Sequence, residues 1–354
     1  MDIFRDIDLR ARTTFGISAR AACWVDYHSE DELRSLFGPD GADLPRPFFP
    51  IGGGSNLVPT GDFPGTLLHS CIRGVEVLED DGDAALVEAG AGEPWDEFVL
   101  WTCRKGLWGV ENLSLIPGDV GAAAVQNIGA YGSEAGDAII SVRCLDVKTL
   151  SPRTFTGAEC AYGYRESFFK GEGKGRYIVL SVTFRLSREN GPTLGYKHLK
   201  DTLISKYGDL ESLTPCDVRE TVIAIRRTKL PDPAEIGSAG SYFRNPCVSE
   251  DRYEAIAAMG LGDVPHFPAE GGLVKIPAAW LIEKCGFKGA RRGNVGVYEK
   301  QPLVIINATG EATPGEVLAL EREICEAVKA RFGATLIPEA EHLPGVQPTL
   351  NQSK

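Results

Sequence analysis

The chain has 354 residues, more than one hydrophobic core usually supports, so we expect two or three structural domains. Hydrophobic residues make up 43% of the chain and charged residues 24%, which excludes a disordered or fibrous protein. The net charge of −12 disfavours nucleic-acid and membrane partners, because both attract basic surfaces. An anionic small ligand would need cations and backbone N–H groups gathered in one cleft.

Cysteine spacing and the N-terminal residues indicate the compartment. Nine cysteines lie singly from Cys23 to Cys325, without the close pairs of a disulfide scaffold or a zinc site, so we expect reduced, mostly buried thiols. The five histidines are dispersed and predict no metal site. The first residues, MDIFRDIDLR, lack the apolar core of a signal peptide, and no stretch is long enough to span a bilayer. We therefore expect a cytosolic protein.

The pattern of apolar and turn-forming residues predicts a mixture of strands and helices. Strands are expected at 21–27, 48–51, 66–70, 75–78, 85–89, 139–147, 177–186 and 303–307. Helices are expected at 29–38, 94–105, 215–227, 250–259, 277–285 and 314–332. Segment 115–133 is too rich in Gly and Ala, and too weakly periodic, for an ordinary helix or strand. Pro231 and Pro233 suggest a domain boundary, and the polar tail after Leu343 is expected to fray.

The segment Ile51–Leu57, IGGGSNL, is the first candidate for chemistry. Glycines let a backbone approach a pyrophosphate closely and present N–H donors, and the Ser and Asn side chains add hydrogen bonds. A glycine-rich hairpin turn would have the same composition. The segment matches neither GxGxxG nor GxxxxGK[ST], which argues against a Rossmann domain and a P-loop.

A second candidate is the segment Leu113–Gly132, which places four glycines among small residues and one amide pair, Gln126 and Asn127. Small side chains allow a flat ring or a phosphate to lie against the backbone, and amides can bond the edge of an isoalloxazine. A tightly packed interior loop is the alternative.

Three single residues could carry charge or protons. Arg165 lies among aromatic residues and offers a planar fork for a carboxylate or phosphate, although a surface cation–π contact explains it equally well. Ser241 follows a glycine but lacks the GxSxG elbow of a hydrolase nucleophile, which leaves a proton donor or a turn residue. Glu339 follows an apolar strand near the C-terminus, where most glutamates are simply solvated.

Taken in order, seven motifs resemble the UDP-N-acetylenolpyruvoylglucosamine reductase family over about residues 13–342. They are TTFGI, GGGSN, IPGDVGAAAVQNIGAYG, YGYRESFFK, TKLPDP, GSYFRNP and IPEAE. The resemblance implies an α+β protein with the FAD-binding fold of vanillyl-alcohol oxidases and a smaller α/β substrate-binding domain. The implied domains are two FAD-binding subdomains at 1–70 and 71–230, a substrate-binding domain at 231–332, and a C-terminal strand with a frayed tail at 333–354.

The resemblance also implies roles for particular residues. FAD, bound non-covalently, would be held by Gly52, Gly53, Gly54, Ser55, Asn56, Ile116, Gly118, Gly121, Gln126, Asn127, Gly129 and Gly132. The implied catalytic residues are Arg165, Ser241 and Glu339. The candidates to bind the UDP-sugar or the co-substrate NADPH are Tyr196, Lys229, Asn245, Lys275 and Gln301.

Some positions match or depart from the family pattern in ways that bear on the substrate. Tyr196 resembles the lid tyrosine of the longer subtype. Phe267 stands where an aromatic hydroxyl is expected, so one phosphate contact is in question. After Glu339 the chain continues with Ala340, Glu341 and His342, where the family usually has Val and Arg.

The activity that the resemblance implies is NADPH-dependent reduction of the enolpyruvyl ether of UDP-N-acetylglucosamine in peptidoglycan synthesis, by a monomer. Arg165 would stabilise the enolate charge, Glu339 would orient the carboxylate, and Ser241 would protonate the α-carbon. The alternatives are an oxidase of the same fold, for which His69 or Cys71 would be the tethering residue, and a flavin- or UDP-sugar-binding module without catalysis.

Overall fold

The structure, a computed structural model, describes residues 1–38 and 41–344. The chain forms two compact units. The first contains residues 1–7, 21–53 and 64–227, and the second contains residues 8–20, 54–63 and those from Thr228 onward. The expected four-part division instead put 8–20 and 54–63 with the first FAD-binding subdomain, and it stays a prediction. Its frayed tail beyond residue 344 lies outside the described residues.

Eight α-helices occur among the described residues. In chain order they are α1 (Glu30–Phe37), α2 (Trp95–Arg104), α3 (Val120–Gln126), α4 (Lys197–Tyr207), α5 (Pro215–Lys229), α6 (Glu250–Ala257), α7 (Ala278–Lys284) and α8 (Pro314–Phe332). Among these helices, none combines the length and apolarity that crossing a bilayer requires.

Twenty short strands accompany the helices in the described part of the chain. They are β1 (Asp2–Asp8), β2 (Arg20–Tyr27), β3 (Phe48–Ile51), β4 (Leu57–Pro59), β5 (Phe63–Ser70), β6 (Val75–Asp80), β7 (Ala84–Gly90), β8 (Gly129–Ala130), β9 (Ser133–Glu134), β10 (Ile139–Asp146), β11 (Ser151–Thr156), β12 (Tyr177–Ser187), β13 (Gly237–Ser238), β14 (Cys247–Val248), β15 (Phe267–Ala269), β16 (Leu273–Lys275), β17 (Arg291–Arg292), β18 (Val295–Val297), β19 (Ile305–Asn307) and β20 (Glu341–Leu343).

Two large sheets and the β8-β9 hairpin build the first unit. One large sheet has the order β1-β2-β5-β3, and the other is antiparallel with the order β11-β10-β12-β7-β6. The long central strand β12 is buried along nearly its whole length, which accounts for its mostly apolar sequence IVLSVTF. Helices α2 and α3 contribute Trp95, Phe98 and Ala124 to the core beneath this sheet. The expected α+β class is confirmed.

The second unit packs three small sheets against α6, α7 and α8. Its sheets have the orders β13-β19-β18-β17 and β14-β16-β15, and β20 pairs in parallel with β4. Helix α8 begins with a capping box between Thr313 and Glu316 and has Pro314 in its first turn. It ends at Gly333, which has a φ of +65° and closes the helix in the left-handed conformation. Sequence analysis predicted this helix at its observed bounds.

Three sequence expectations need correction. Segment 115–133 is not irregular throughout, since its Ala-rich centre forms α3. Helix α4 and strand β1 carried no pattern strong enough to be predicted. All nine cysteines are free thiols, as expected, but only Cys23, Cys103, Cys144 and Cys160 are buried. The other five are partly or fully exposed, so "mostly buried" was too strong.

Candidate active site

The first two glycines of the 51–57 loop lie close to the start of α3. A Cβ added to Gly52 would lie 2.8 Å from the Cβ of Ala122, a contact that real Cβ atoms essentially never show. A Cβ added to Gly53 would lie 3.1 Å from the Cα of Gly118, which is tight but requires only a small shift. A hairpin turn, the alternative that sequence analysis left open, does not require this close approach.

The third glycine and the two polar residues of the loop belong to the second unit. Gly54 has a φ of +62°, and an added Cβ would lie 2.4 Å from the carbonyl oxygen of Arg12. Asn56 donates from its side chain to the carbonyl of Glu339 at 3.1 Å, and its own carbonyl accepts from Glu341 at 2.8 Å. The loop is therefore bonded directly to the chain that carries the candidate acid Glu339.

The N–H groups of this loop are suited to an anion. No backbone carbonyl of residues 1–38 and 41–344 accepts from Gly52, Gly53 or Gly54. Consecutive N–H donors without a protein acceptor form a concave anion site of the kind that binds phosphate groups. The expected contact of this loop with a pyrophosphate stays a prediction.

The start of segment 113–132 is fixed by a buried ion pair. Leu115, at a φ of +59°, donates its N–H to Asp96 at 2.5 Å, and Arg219 donates to both oxygens of Asp96 at 2.6 and 2.7 Å. Burial acts to raise the pKa of Asp96, but the Arg219 and Leu115 hydrogen bonds outweigh it and lower that pKa. Asp96 therefore stays charged and holds the strained backbone at Leu115.

The candidate flavin residues of this segment differ in what they offer. Gly121 has no room for a side chain, because an added Cβ would lie 2.8 Å from that of Ala91. The side chain of Asn127 is bonded to Glu134, Gly163 and Gly136, and Gln126 accepts from Lys170 at 3.1 Å. The expected amide contacts to a flavin stay predictions for both residues.

The last glycines of the segment shape a tight hairpin. Strands β8 and β9 are joined by Tyr131 and Gly132, whose φ angles are +51° and +83°. Two successive positive φ angles are typical of the two-residue turns that match strand twist. Ile116 and Gly118, at the other end of the segment, are both half-buried, and Gly118 has a φ of +115°.

Two main-chain carbonyls help to orient Arg165. Its guanidinium donates to the carbonyl oxygens of Asn127 at 3.2 Å and Gly129 at 2.7 Å, and its own φ is +58°. Lys170 donates to the carbonyl of Arg165 at 2.9 Å as well as to Gln126. The cation–π contact that sequence analysis offered as the alternative is present, with the guanidinium 5.7 Å from the centre of the exposed Tyr164 ring. The half-buried side chain is in addition bonded to segment 113–132. Sequence analysis missed the supporting role of Lys170.

Tyr196 lies at the start of α4, 43% exposed, with its ring edge-on to Tyr131 at 5.4 Å between ring centres. Tyr131 and the segment before Tyr196 are bonded to one buried amide. The Nδ2 of Asn112 donates to the carbonyl of Tyr131 at 3.0 Å and to that of Thr193 at 2.9 Å. This link holds the segment before the proposed lid tyrosine beside its aromatic partner. Nothing in the local sequence distinguished Asn112.

Ser241 and Glu339 lie on neighbouring segments of the second unit. The N–H of Glu339 donates to the carbonyl of Tyr242 at 2.8 Å, and the N–H of Arg244 donates to Ile337 at 3.0 Å. Phe243 and Pro338 form an antiparallel bridge between the same two segments. The structure therefore brings together two of the three predicted catalytic residues, although 98 positions separate them in the chain. Arg165 belongs to the first unit.

The remaining candidates for substrate contact are distributed over the second unit. Lys229 is the last residue of α5, and Gln301 precedes β19. Asn245 accepts from the N–H of Ala278 at 2.9 Å and so caps the first turn of α7. Lys275, on β16, is the cross-strand partner of Phe267 on β15, and Phe267 is 54% exposed. Their roles in binding stay predictions.

His69, the candidate tether of the oxidase alternative, is held between two carboxylates. Its Nδ1 lies 2.7 Å from Asp26, and its Nε2 lies 3.7 Å from Asp119. Burial acts to lower the pKa of His69, but hydrogen bonds to Asp119 and Asp26 raise it on balance. Asp26, His69 and Cys71 also place their ligand atoms within 4.8 Å of one another, and the absence of a metal stays a prediction.

One cation near Arg165 was not identified from the sequence. Arg226, on α5, is half-buried, and its Nε has no hydrogen-bond partner among the described residues. Burial lowers the pKa of this guanidinium, while Tyr131 and Asp96 act to raise it. The Nε–H of this half-buried guanidinium could donate a hydrogen bond to an anionic ligand.

The glycine loop, the tight packing of α3 and the mixed sheets define the class of protein. Residues 25–149 match the family model described as FAD binding domain, so this is an FAD-binding flavoprotein. Residues 232–343 match the model of the UDP-N-acetylenolpyruvoylglucosamine reductase C-terminal domain. The chain belongs to the UDP-N-acetylenolpyruvoylglucosamine reductase family.

Relatives support this membership along almost the whole chain. The enzyme of that name from Burkholderia ambifaria is 45% identical over 340 residues, which is 96% of each chain. The one from Chromobacterium violaceum is 43% identical and spans 94% of this chain and 97% of the relative. The solved UDP-N-acetylenolpyruvylglucosamine reductase of Thermus caldophilus has a TM-score of 0.67 at 22% identity, covering 97% and 99% of the two chains. That likeness shows the expected flavoprotein fold.

Proposed function

We propose that this chain reduces UDP-N-acetylglucosamine enolpyruvate to UDP-N-acetylmuramate, with non-covalent FAD as cofactor and NADPH as hydride donor, in peptidoglycan synthesis. Family membership over 96% of the chain supports the reaction. The structural observation that carries it is the hydrogen-bonded pairing of the Ser241 and Glu339 segments. A proton donor and a carboxylate on adjacent segments suit a reaction in which an enolate is formed and then protonated at carbon.

The chemistry that FAD supplies when bound is hydride transfer from the nicotinamide to the β-carbon of the enolpyruvyl group. The protein must then stabilise negative charge on the substrate carboxylate and deliver one proton to the α-carbon. Arg165 supplies a permanent positive charge with a planar pair of donors. Glu339 orients the substrate carboxylate, and the hydroxyl of Ser241 gives its proton to the α-carbon.

The substrate's anionic groups are matched to separate parts of the chain. Lys229, Lys275 and Gln301 offer a charge or a hydrogen bond to the UDP phosphates, the sugar or NADPH. Tyr196 covers the bound nucleotide sugar as a lid, supported by its edge-on contact with Tyr131. Asn245 acts with them, although its Oδ1 already accepts from Ala278.

The setting of the reaction follows from the chemistry of its substrates. Nucleotide sugars and NADPH are charged metabolites of the cytoplasm, so we place the enzyme there, with roles in cell shape and division. The net charge of −12 supports a protein that binds neither nucleic acid nor membrane. We propose that it acts as a monomer, because the three catalytic residues all come from one chain.

An anaerobic flavin titration tests this function. The purified protein should be yellow, lose its absorbance near 450 nm on addition of NADPH, and regain it on addition of UDP-N-acetylglucosamine enolpyruvate. Denaturation should release intact FAD into the filtrate. Recovery of colour with oxygen alone, but never with the enolpyruvyl substrate, would favour an oxidase, and flavin fluorescence that stays with the denatured chain would exclude non-covalent binding.

A further inference from the structure

A buried polar cluster of the second unit joins Tyr242, Glu321 and His342. The Tyr242 side chain is fully buried, and its hydroxyl donates to Oε2 of Glu321 at 2.6 Å. The Nε2 of His342 lies 2.9 Å from the same carboxylate oxygen and 3.3 Å from the Tyr242 hydroxyl. The side chains of His342 and Glu321 are only 12% and 14% exposed. The Oε2 atom of Glu321 thus contacts both the Tyr242 hydroxyl and the His342 imidazole.

Each member of this cluster comes from a different element. Glu321 lies in the middle of α8, the longest helix among the described residues, and His342 lies on β20. Tyr242 directly follows Ser241. Beyond the cluster, the carbonyl of Tyr242 accepts from the N–H of Glu339. The cluster therefore fastens both segments that carry candidate catalytic residues to one rigid helix.

The chemistry of the cluster favours a fixed geometry. Burial is the larger cause that raises the pKa of Tyr242 above its ordinary value, and Glu321 raises it further. The phenol therefore remains protonated and serves as a donor to the carboxylate. Hydrogen bonds to an ionised partner are shorter and stronger than neutral ones, and in a buried site they have little competition from water.

We propose that Tyr242, Glu321 and His342 are positioning residues for the reaction, which set the placement of Glu339 relative to Ser241. This inference rests on the proposed function, since it assigns the two residues to the same substrate. The cluster touches no reacting atom in this scheme. It acts through the main chain, because Tyr242 is next to Ser241 and His342 is three residues after Glu339.

The cluster also bonds the strand that follows Glu339. Ala340 is buried, and Glu341 donates its N–H to the carbonyl of Asn56. The side chain of His342 adds a contact between β20 and Glu321.

Tyr242→Phe tests the proposal because it removes one hydroxyl and keeps the ring. We expect reoxidation of the reduced flavin by the enolpyruvyl substrate to slow about 10- to 100-fold, since small misplacements of reacting groups have effects of this size. Reduction by NADPH should change by less than about twofold. Stopped-flow absorbance of each half-reaction gives both rates, and thermal melting and calorimetric binding of the substrate report stability and affinity.

Tyr253→Phe is the matched control, because its hydroxyl also bonds a histidine, His266 at 2.9 Å, outside the cluster. Its half-reactions should match those of the wild type. If Tyr242→Phe does not fold, His342→Gln carries the same expectation. Equal slowing of both half-reactions, or a lower melting temperature with unchanged reoxidation, would overturn the positioning role. If wild-type reduced flavin is not reoxidised by the enolpyruvyl substrate at all, the proposed function itself fails.

Discussion

Arg165 and Glu339, two residues proposed to act on one substrate carboxylate, differ in the sequence distance of their hydrogen-bond partners. The guanidinium and the carbonyl of Arg165 are bonded to Asn127, Gly129 and Lys170, which lie no more than 38 positions away. Glu339 is bonded through its carbonyl to Asn56, 283 positions earlier. Its N–H is bonded to Tyr242, whose side chain depends in turn on Glu321 and His342.

This difference predicts how each residue responds to substitution. The placement of Arg165 should survive changes elsewhere in the molecule and fail only when its own segment is altered. The placement of Glu339 should be sensitive to changes at distant positions in the sequence. Three substitutions in the first unit test different contributions one at a time. They change the guanidinium of Arg165, the lysine that bonds its carbonyl, and an aspartate that stabilises the fold.

The largest effect is expected for Arg165→Lys. This change keeps the positive charge but loses the planar fork that bonds two carbonyls at once, and a lysine cannot offer a carboxylate two parallel donors. We expect reoxidation by the enolpyruvyl substrate to slow about 100- to 1,000-fold, the range found when one donor to a developing oxyanion is removed. Single-turnover absorbance measures this rate.

The same variant should accept hydride from NADPH at close to the wild-type rate. Arg165→Lys combined with Glu339→Gln should lose less than the product of the two single losses, because both residues act on one charge. Wild-type reoxidation in Arg165→Lys, or losses that multiply independently, would remove Arg165 from the shared site.

A smaller effect is expected for Lys170→Met. The change removes the donor that holds the carbonyl of Arg165 at 2.9 Å and Gln126 at 3.1 Å, while the aliphatic stem is retained. We expect reoxidation to slow about tenfold through misplacement of the guanidinium. The exposed Lys148→Met, also in the first unit, is the control for loss of charge. If the two variants behave alike, Lys170 has no part in orienting Arg165.

The smallest effect is expected for Asp96→Asn, and it concerns stability. The lowered pKa of folded Asp96 means that its contribution is fully present above the unfolded pKa of about 3.9 and is lost as the pH falls through the folded value. Hydrogen bonds to a charged group contribute about 1.5–3 kcal/mol, and the partial exposure of Asp96 places it at the low end of that range.

Melting temperatures between pH 7 and pH 3 measure this contribution. At pH 7 the Asp96→Asn variant should melt at a lower temperature than the wild type. Below pH 4 this difference in melting temperature should become smaller. A difference that stays constant across this range would show that the Asp96 charge does not support Leu115.

The sequence was most informative where one residue type is the only one that fits. Gly52 and Gly121 were assigned to the cofactor site, and the structure shows that a Cβ at either position would lie 2.8 Å from a neighbouring Cβ. Their approach to the cofactor itself stays a prediction. Helix α8 was predicted at its bounds because its capping box, its first-turn proline and its terminal glycine are all local signals. Arg165 and Glu339, in contrast, were assigned through the family resemblance and not through spacing.

The residues that sequence analysis missed act through distant partners. Asn112 bonds Tyr131 and Thr193, and the Tyr242 hydroxyl reaches Glu321, 79 positions away. No local periodicity records such pairings. Helix α4 was missed because its buried positions, Leu199 and Leu203, form too narrow an apolar stripe among polar residues. Helix α3 was missed because its composition resembles a loop.

The parallel pairing of β20 with β4 sets an order of events during synthesis of the chain. Thr60, beside β4, bonds the carbonyl of Pro344, 284 positions later, so this part of the second unit cannot close until the ribosome has translated almost all of the described chain. Arg165 lies in the first unit, whose last residue is Arg227, and domains generally fold as units during synthesis. A nascent chain that ends there would carry Arg165 without Ser241 or Glu339, and the candidate acid would be added only when translation of the described chain is nearly complete.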